Sequence, residues 1–249
     1  MQMKNAFPVF IGYDSREPEA YEVAKYSILK YASVPVHIQP LDESALRFVG
    51  MYDRKFTITD GQKVDEIDGK PFSTEFSFTR FLVPALCQYQ GSALFMDCDQ
   101  LFRTDIAKLL SEVDTSCAVQ VCRQVYEPKE AVKMDNQIQQ KYSRKNWSSV
   151  MVFNNAHMAT RMLTVDAVNM EPGSWLHQFN WCRDIDIGGL DHRWNWIDGT
   201  TEGEPLNVHY TMGGPWFEHM RWSNAPYFNE WREAAKEIGL WPHSIDKAA

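Results

Sequence analysis

The sequence predicts an α/β fold with a mostly parallel central sheet and flanking helices, and three observations carry that prediction. The chain opens strand–helix–strand, a continuous apolar run follows at 93–96, and two further runs of strand length lie at 118–122 and 150–153. In order, Val9–Gly12 is a short apolar run ending in a turn, and 17–31 carries Tyr21, Ala24, Ile28 and Leu29 at helical spacing. A second strand is expected at Val34–Ile38, completing the β-α-β unit that builds parallel sheets by right-handed crossover. Residues 42–72 are polar, with Gly61, Gly69 and Pro71, and read as a loop or small hairpin. A helix is expected over 73–90, kinked or restarted at Pro84 and capped by Gly91. The run Ala93–Met96 reads as a strand covered on both faces. A further helix is expected over 156–168, a Trp- and Gly-rich stretch over 174–222, and a closing helix over 227–238 ending at Gly239.

At 249 residues, one domain is expected, with halves at 1–125 and 126–249. A net charge of −8 argues against a nucleic-acid partner, which needs a basic face. The five cysteines are odd in number and form no Cys-x-x-Cys pair, which reads as reduced thiols in a cytoplasmic protein. The first residues lack a signal-peptide pattern, and no run of about 18 uncharged apolar residues suggests a membrane span.

The chemistry begins in Leu94–Phe102, LFMDCDQLF, where two acids interrupt an apolar stretch. At i and i+2 after a buried strand, Asp97 and Asp99 point to one side if the chain stays extended. The rim outside the carboxyl ends of parallel strands is where ligands bind, and paired carboxylates there repel unless a cation lies between them. Hard oxygen ligands suit Mn²⁺ or Mg²⁺ together with substrate phosphates. The rival reading is a strand-ending turn with two solvated acids.

Here the chain resembles a glycosyltransferase of the GT-A fold, most nearly family 8, as a distant member. Phe10-Ile-Gly-Tyr-Asp14 is similar to the first strand and nucleotide-contacting loop of that family, and Phe78-Thr-Arg80-Phe-Leu-Val-Pro84 to its R-x-x-x-P helix. Ala93–Phe102 resembles the strand bearing its D-x-D, and Ser148–Asn154 its small-residue strand ending in Asn. Leu190-Asp-His-Arg-Trp-Asn195 resembles its L-P-x-x-W-N, and Val208–Trp216 its late H-x-x-G-x-x-K-P-W.

The resemblance implies a metal held by Asp97, Asp99 and His209, and a donor nucleotide sugar, a UDP-sugar first among them. Donor contacts are implied at Gly12, Tyr13, Asp14 and Arg80, at Asp97 and Cys98 of the acid motif, and at Asn154, Gly213, Gly214 and Trp216. Each has a plain alternative. His209 taken alone reads as a hydrogen-bonded core or surface histidine, Arg80 as a solvated helix residue, and Asp14 as an exposed turn acid. Gly213 and Gly214 would bring backbone N–H groups close to phosphates, or simply turn a corner before Pro215. Trp194, Trp196 and Trp216 would line an acceptor pocket, or form core.

The sequence also departs from the family. No lysine precedes Pro215, so Arg80, Arg221 or the metal must carry the diphosphate charge; Asp191 replaces a proline, and Ser148-Ser149 replaces N-x-G. The expected reaction moves a hexose from a nucleoside diphosphate sugar to an acceptor hydroxyl with retention. Arg80 and the metal would stabilise the departing diphosphate, with Asp184 or Asp186 assisting at the far face of the sugar. In this reading the first half binds nucleotide and the Trp-rich second half binds acceptor. Two rivals are a sugar-phosphate nucleotidyltransferase, for which Gly12–Arg16 is poor in glycine and basic residues, and a non-catalytic carbohydrate-binding module.

Overall fold

The structure is a computed structural model describing residues 6–124, 144 and 146–241; the boundary expected at 125/126 lies outside them. Strand β1 (Phe7–Gly12) leads into α1 (Pro18–Tyr31), whose first-turn proline needs no hydrogen-bond partner, and then into β2 (Val36–Leu41). The stretch read as loop holds α2 (Glu43–Phe48), started by the Asp42 carboxylate, which accepts from Ser44 N at 2.8 Å and Ala45 N at 3.3 Å. An aspartate N-cap is a sequence signal that the hydrophobic pattern alone overlooks. The expected hairpin follows as β3 (Phe56–Thr59) and β4 (Gln62–Asp65).

The helix expected over 73–90 is much shorter. A 3₁₀ turn at Thr79–Leu82 runs into α3 (Val83–Leu86), and Pro84 sits in the first turn of α3. Proline lacks the N–H that would bond back to residue 80, so the α-helical ladder cannot run through it from the N-terminal side. Next come β5 (Ser92–Met96), β6 (Gln100–Phe102), α4 (Ile106–Ser111), β7 (Val119–Val121) and β8 (Val150–Asn154). The helix expected over 156–168 is broken into a 3₁₀ turn at Met158–Met162 and α5 (Val165–Met170), because the Thr164 hydroxyl accepts from Ala167 N at 3.0 Å and starts a new helix. The rest is α6 (Gly173–His177), β9 (Ile187–Gly189), β10 (Asn207–His209) and α7 (Phe228–Glu237). Gly188 and Gly189 lie in β9, and a Cβ on Gly188 would lie 2.6 Å from Gln120.

The central sheet has the order β2-β1-β5-β8-β7-β9. Pairs β2/β1, β1/β5 and β7/β9 are parallel, and only β8 runs against its neighbours. The carboxyl ends of β1, β5 and β9 and the start of β8 therefore share one rim. After β5 the chain leaves this sheet and pairs β6 with β10 in a small antiparallel ribbon. A main core surrounds the central sheet, and a second, aromatic core built on Tyr210, Trp216, Phe228 and Trp231 joins α7 to α1 and the ribbon. No helix among the described residues is long and apolar enough to cross a membrane.

The 50–72 excursion is bolted to α5 through Arg54, which is fully buried with Asp65. Nε and NH2 of Arg54 donate to the two Asp65 oxygens at 2.9 and 2.6 Å, while NH1 donates to the carbonyls of Val168 and Glu171. A buried pair is costly to break from one side because the remaining charge is stranded. Asp65→Leu is expected to lower the unfolding free energy by about 3–5 kcal/mol, and Arg54→Met/Asp65→Leu to recover much of that loss. Urea unfolding of both variants checks this, and a single-variant loss under about 1 kcal/mol would contradict the assignment.

Candidate active site

The chain bends at Cys98–Asp99 instead of continuing extended, and the bend still brings the two carboxylates together. Asp97 Oδ2 lies 3.9 Å and Asp99 Oδ1 3.3 Å from His209 Nε2. The three side chains each present a ligand atom within 4.8 Å of the others. His209 arrives because β10 pairs with β6 in a register that sets it opposite Gln100, and Tyr210 N donates to Asp99 O at 2.9 Å.

The start of β8 braces this group. The Ser149 carbonyl accepts from Asp97 N and from Gln100 Nε2, both at 3.0 Å, and the Ser148 carbonyl accepts from Arg80 NH1 at 2.8 Å. Arg80 NH1 also donates to Asp97 Oδ1 at 2.8 Å and Nε to Phe76 O at 3.3 Å, with the guanidinium 5.1 and 4.9 Å from the Phe76 and Phe95 rings. The 3₁₀ turn points Arg80 inward, so it is a buried partner of Asp97 and not the solvated helix residue of the alternative reading. Burial pushes the Asp97 carboxyl above its ordinary value; Arg80 pulls it down and Asp99 pushes it up. Two crowded carboxylates and an imidazole nitrogen form a donor set that fits a hard or borderline divalent cation, whose charge relieves that crowding.

The other expected site residues divide by rim. Gly12, Tyr13 and Asp14 lie beside the acids, because Ile11 pairs with Met96. Their side chains are used internally. A Cβ on Gly12 would lie 2.4 Å from Phe76, and Tyr13 packs edge-on against Tyr21. Asp14 is fully buried: Oδ1 accepts from Arg16 N and Nε, and Oδ2 from Arg16 NH2 and Glu75 N. It fastens the loop after β1 to the 73–77 turn and is not an exposed turn acid. Cys98 turns into the main core, where burial raises its thiol well above the ordinary range.

Gly213 gives its N–H to Tyr210 O at 2.8 Å, and its φ of +102° is the conformation a side chain would resist. A Cβ on Gly214 would lie 2.1 Å from the Trp216 ring. Both glycines are therefore accounted for by packing. The Trp residues are core: Trp194 packs on Phe102, Trp196 on Tyr227, and Trp216 between Tyr210 and Trp231, all buried.

Asn154 and Asp186 do not join the group. Asn154 pairs with Ser92 at the opposite end of β5, and its amide donates to Thr115 O at 2.7 Å. Asp186 precedes β9, its carbonyl accepts from Ala118 N, and its carboxylate is paired with Arg183 at 2.8 Å. Both stand on the amino rim, a full strand length from Asp97, because β8 is reversed and β9 is parallel. Asp184 is paired with Arg144 at 2.6 Å near the same rim.

Sequence reasoning missed the Ser148 and Ser149 carbonyls, which no side-chain pattern announces, and His177. The His177 ring stands edge-on to Phe81 at 5.1 Å with Nδ1 3.0 Å from Ser148 Oγ, and burial together with Arg80 lowers its pKa to about 3.

The fold is that of GT-A-type glycosyltransferases. The chain is similar to the galactosyltransferase LgtC solved with donor and acceptor sugar analogs (12% identity, TM-score 0.57, covering 95% of this chain and 98% of that one). It is also similar to apo GlyE of Streptococcus pneumoniae TIGR4 (17% identity, TM-score 0.56, 93% of this chain), of which it spans 60%. No family model matches the sequence. In sequence the chain is 39% identical over 241 residues to Protein CDI of Arabidopsis thaliana, covering 94% of this chain and 88% of that protein. The chain belongs to the family of Protein CDI.

Asp14 supplies a pH prediction. Arg16 and the Glu75 N–H outweigh the effect of burial and hold its carboxyl below the ordinary 3.8. A group so depressed stabilises the fold fully above its unfolded value and loses that contribution as pH falls through the folded value. Asp14→Asn should cost about 1–3 kcal/mol near neutral pH, and the gap to wild type should narrow on acidification below about 3.8. Thermal unfolding from pH 7 to pH 3 checks the sign; a gap that widens in acid contradicts it.

Proposed function

We propose that this chain is a metal-dependent glycosyltransferase that moves a hexose from a nucleoside diphosphate sugar to an acceptor hydroxyl with retention, as a distant member of family 8. One observation carries the reading: Asp97, Asp99 and His209 converge within 4.8 Å of one another at the carboxyl rim of a mostly parallel sheet. The glycosyltransferase fold supports it.

Asp97 Oδ2, Asp99 Oδ1 and His209 Nε2 would hold Mn²⁺ or Mg²⁺. When bound, such an ion supplies the positive charge that a departing diphosphate requires, a need made greater by the absence of a lysine before Pro215. Arg80 fixes the orientation of Asp97 by taking its Oδ1, which leaves Oδ2 for the ligand. Arg221 is stacked over Trp241 at 4.5 Å in the second core, so it is poorly placed to substitute for the lysine. The loop after β1, fastened by Asp14, would frame the nucleotide side. The expected assistance from Asp186 is dropped, since that acid stands on the other rim. The nucleotide is assigned to the 1–125 half and the acceptor to the 126–249 half. A UDP-sugar is the first donor to test. The five free thiols fit a reducing, cytoplasmic setting.

A thermal-shift panel of nucleoside diphosphate sugars with and without Mn²⁺ tests the proposal. Donor at a hundredfold excess over its Kd adds about 2.7 kcal/mol, or roughly 5–10 °C for a chain of this size. The shift should require Mn²⁺ and disappear in Asp99→Asn, chosen because Asp97→Ala would also strand Arg80. A shift with donor alone, or one that survives in Asp99→Asn, would refute metal-dependent binding. A response to free sugars but to no nucleotide sugar would favour a carbohydrate-binding module.

A further inference from the structure

We propose that Asn195 is a positioning residue that fixes which ring nitrogen of His209 faces the carboxylate pair. The inference rests on the metal reading above and deepens it. Asn195 is fully buried between two groups: its side-chain amide lies 2.9 Å from the carbonyl of Asn146 and 2.7 Å from Nδ1 of His209.

The Asn146 carbonyl can only accept, so the amide atom facing it is the NH₂ group, Nδ2. The atom facing His209 is then Oδ1, which also can only accept, so the proton between them resides on Nδ1 of the imidazole. The flipped amide would set Oδ1 against the Asn146 carbonyl, oxygen against oxygen, in a site with no solvent to relieve it. With Nδ1–H committed to Asn195, Nε2 is the nitrogen turned toward Asp99 Oδ1 and Asp97 Oδ2. A metal-bound imidazole needs its free lone pair on the ligating nitrogen, and a hydrogen bond from the other nitrogen selects that tautomer and fixes the ring plane.

The backbone holds the two residues in register. Trp196 N donates to Asn207 O at 3.0 Å and His209 N donates to Trp196 O at 2.8 Å, which locks the end of the 192–195 turn to β10. The Asn195 carbonyl accepts from Gln124 Nε2. Asn146 holds φ at +63°, a left-handed conformation just before the carbonyls of Ser148 and Ser149 that brace Arg80 and Asp97. One turn therefore orients both flanks of the ligand set: Asp97 through Arg80, and His209 through Asn195.

Measurements on the 249-residue chain test this. Long-range ¹H–¹⁵N correlation of the metal-free protein, with His209 assigned by comparison with His209→Gln, should show Nδ1 of His209 protonated. A bare Nδ1 overturns the proposal whatever the protein later proves to catalyse. Direct Mn²⁺ titration by calorimetry should then show affinity about 10–100-fold weaker in Asn195→Ala. In Asn195→Ala the same correlation spectrum should show Nδ1 of His209 no longer uniformly protonated, because nothing then selects that tautomer. Asn195→Ala binding as tightly as wild type, or keeping His209 uniformly protonated on Nδ1, overturns it. A wild-type chain with Nδ1 protonated that binds no Mn²⁺ upholds the orientation and overturns the metal reading instead. Thermal unfolding of each variant separates loss of fold from loss of affinity, and the wild-type spectrum decides the tautomer even if Asn195→Ala does not fold.

Discussion

Two carboxylates and an imidazole gathered at one rim repel, desolvate and compete for protons unless every remaining atom is held elsewhere. The 146–149 turn does the holding. Three of its carbonyls accept from Asn195, from Arg80, and from the backbone of Asp97 with the Gln100 amide, so groups from three separate segments are referenced to one short piece of chain. Arg80 then takes one oxygen of Asp97, and Asn195 takes one nitrogen of His209. What remains pointing inward is a small set of electron pairs that suits a divalent cation.

The two cores serve this arrangement differently. The main core fixes the rim by burying the central strands on both faces, so strand register cannot slip without exposing an apolar row. The aromatic core stabilises the departure from that sheet: β6 leaves after the acid pair, and its backbone is received by Ser27 of α1, whose hydroxyl accepts from Phe102 N at 3.0 Å. Gly214 is needed there because Trp216 lies where a side chain would stand. Of the tryptophans that a sequence reader would assign to a sugar, Trp196 and Trp216 are consumed in making the second core and Trp194 in the main one. An aromatic face looks the same in a sequence whether it stacks on a ligand or on another ring.

Strand direction sorted the acids. Asp97 and Asp186 each adjoin a short apolar strand, but one follows its strand and the other precedes it, and in parallel strands that difference is the full height of the sheet. Asn154 was misplaced for the complementary reason: it ends a strand, but β8 runs backwards, so its end lies on the amino rim and its beginning, Ser148–Ser149, on the functional one. Direction within a sheet is a property of pairing, and residue spacing along one strand does not encode it. The acid pair was legible because two carboxylates inside an apolar run are costly wherever the chain folds.

The sequence by itself determined the β-α-β opening, the buried strand that leads into Asp97 and Asp99, and the closing helix, because periodicity and the cost of burying charge are local properties. Only the tertiary structure decided that His209 meets those acids, that Arg80 is spent on Asp97, that Asp14 clamps a loop, and that Asp186 and Asn154 face elsewhere. Those outcomes follow from strand order, from the reversal of β8, and from a pairing between β6 and β10 that joins residues about a hundred positions apart. A linear pattern carries no record of which distant partner a strand will choose.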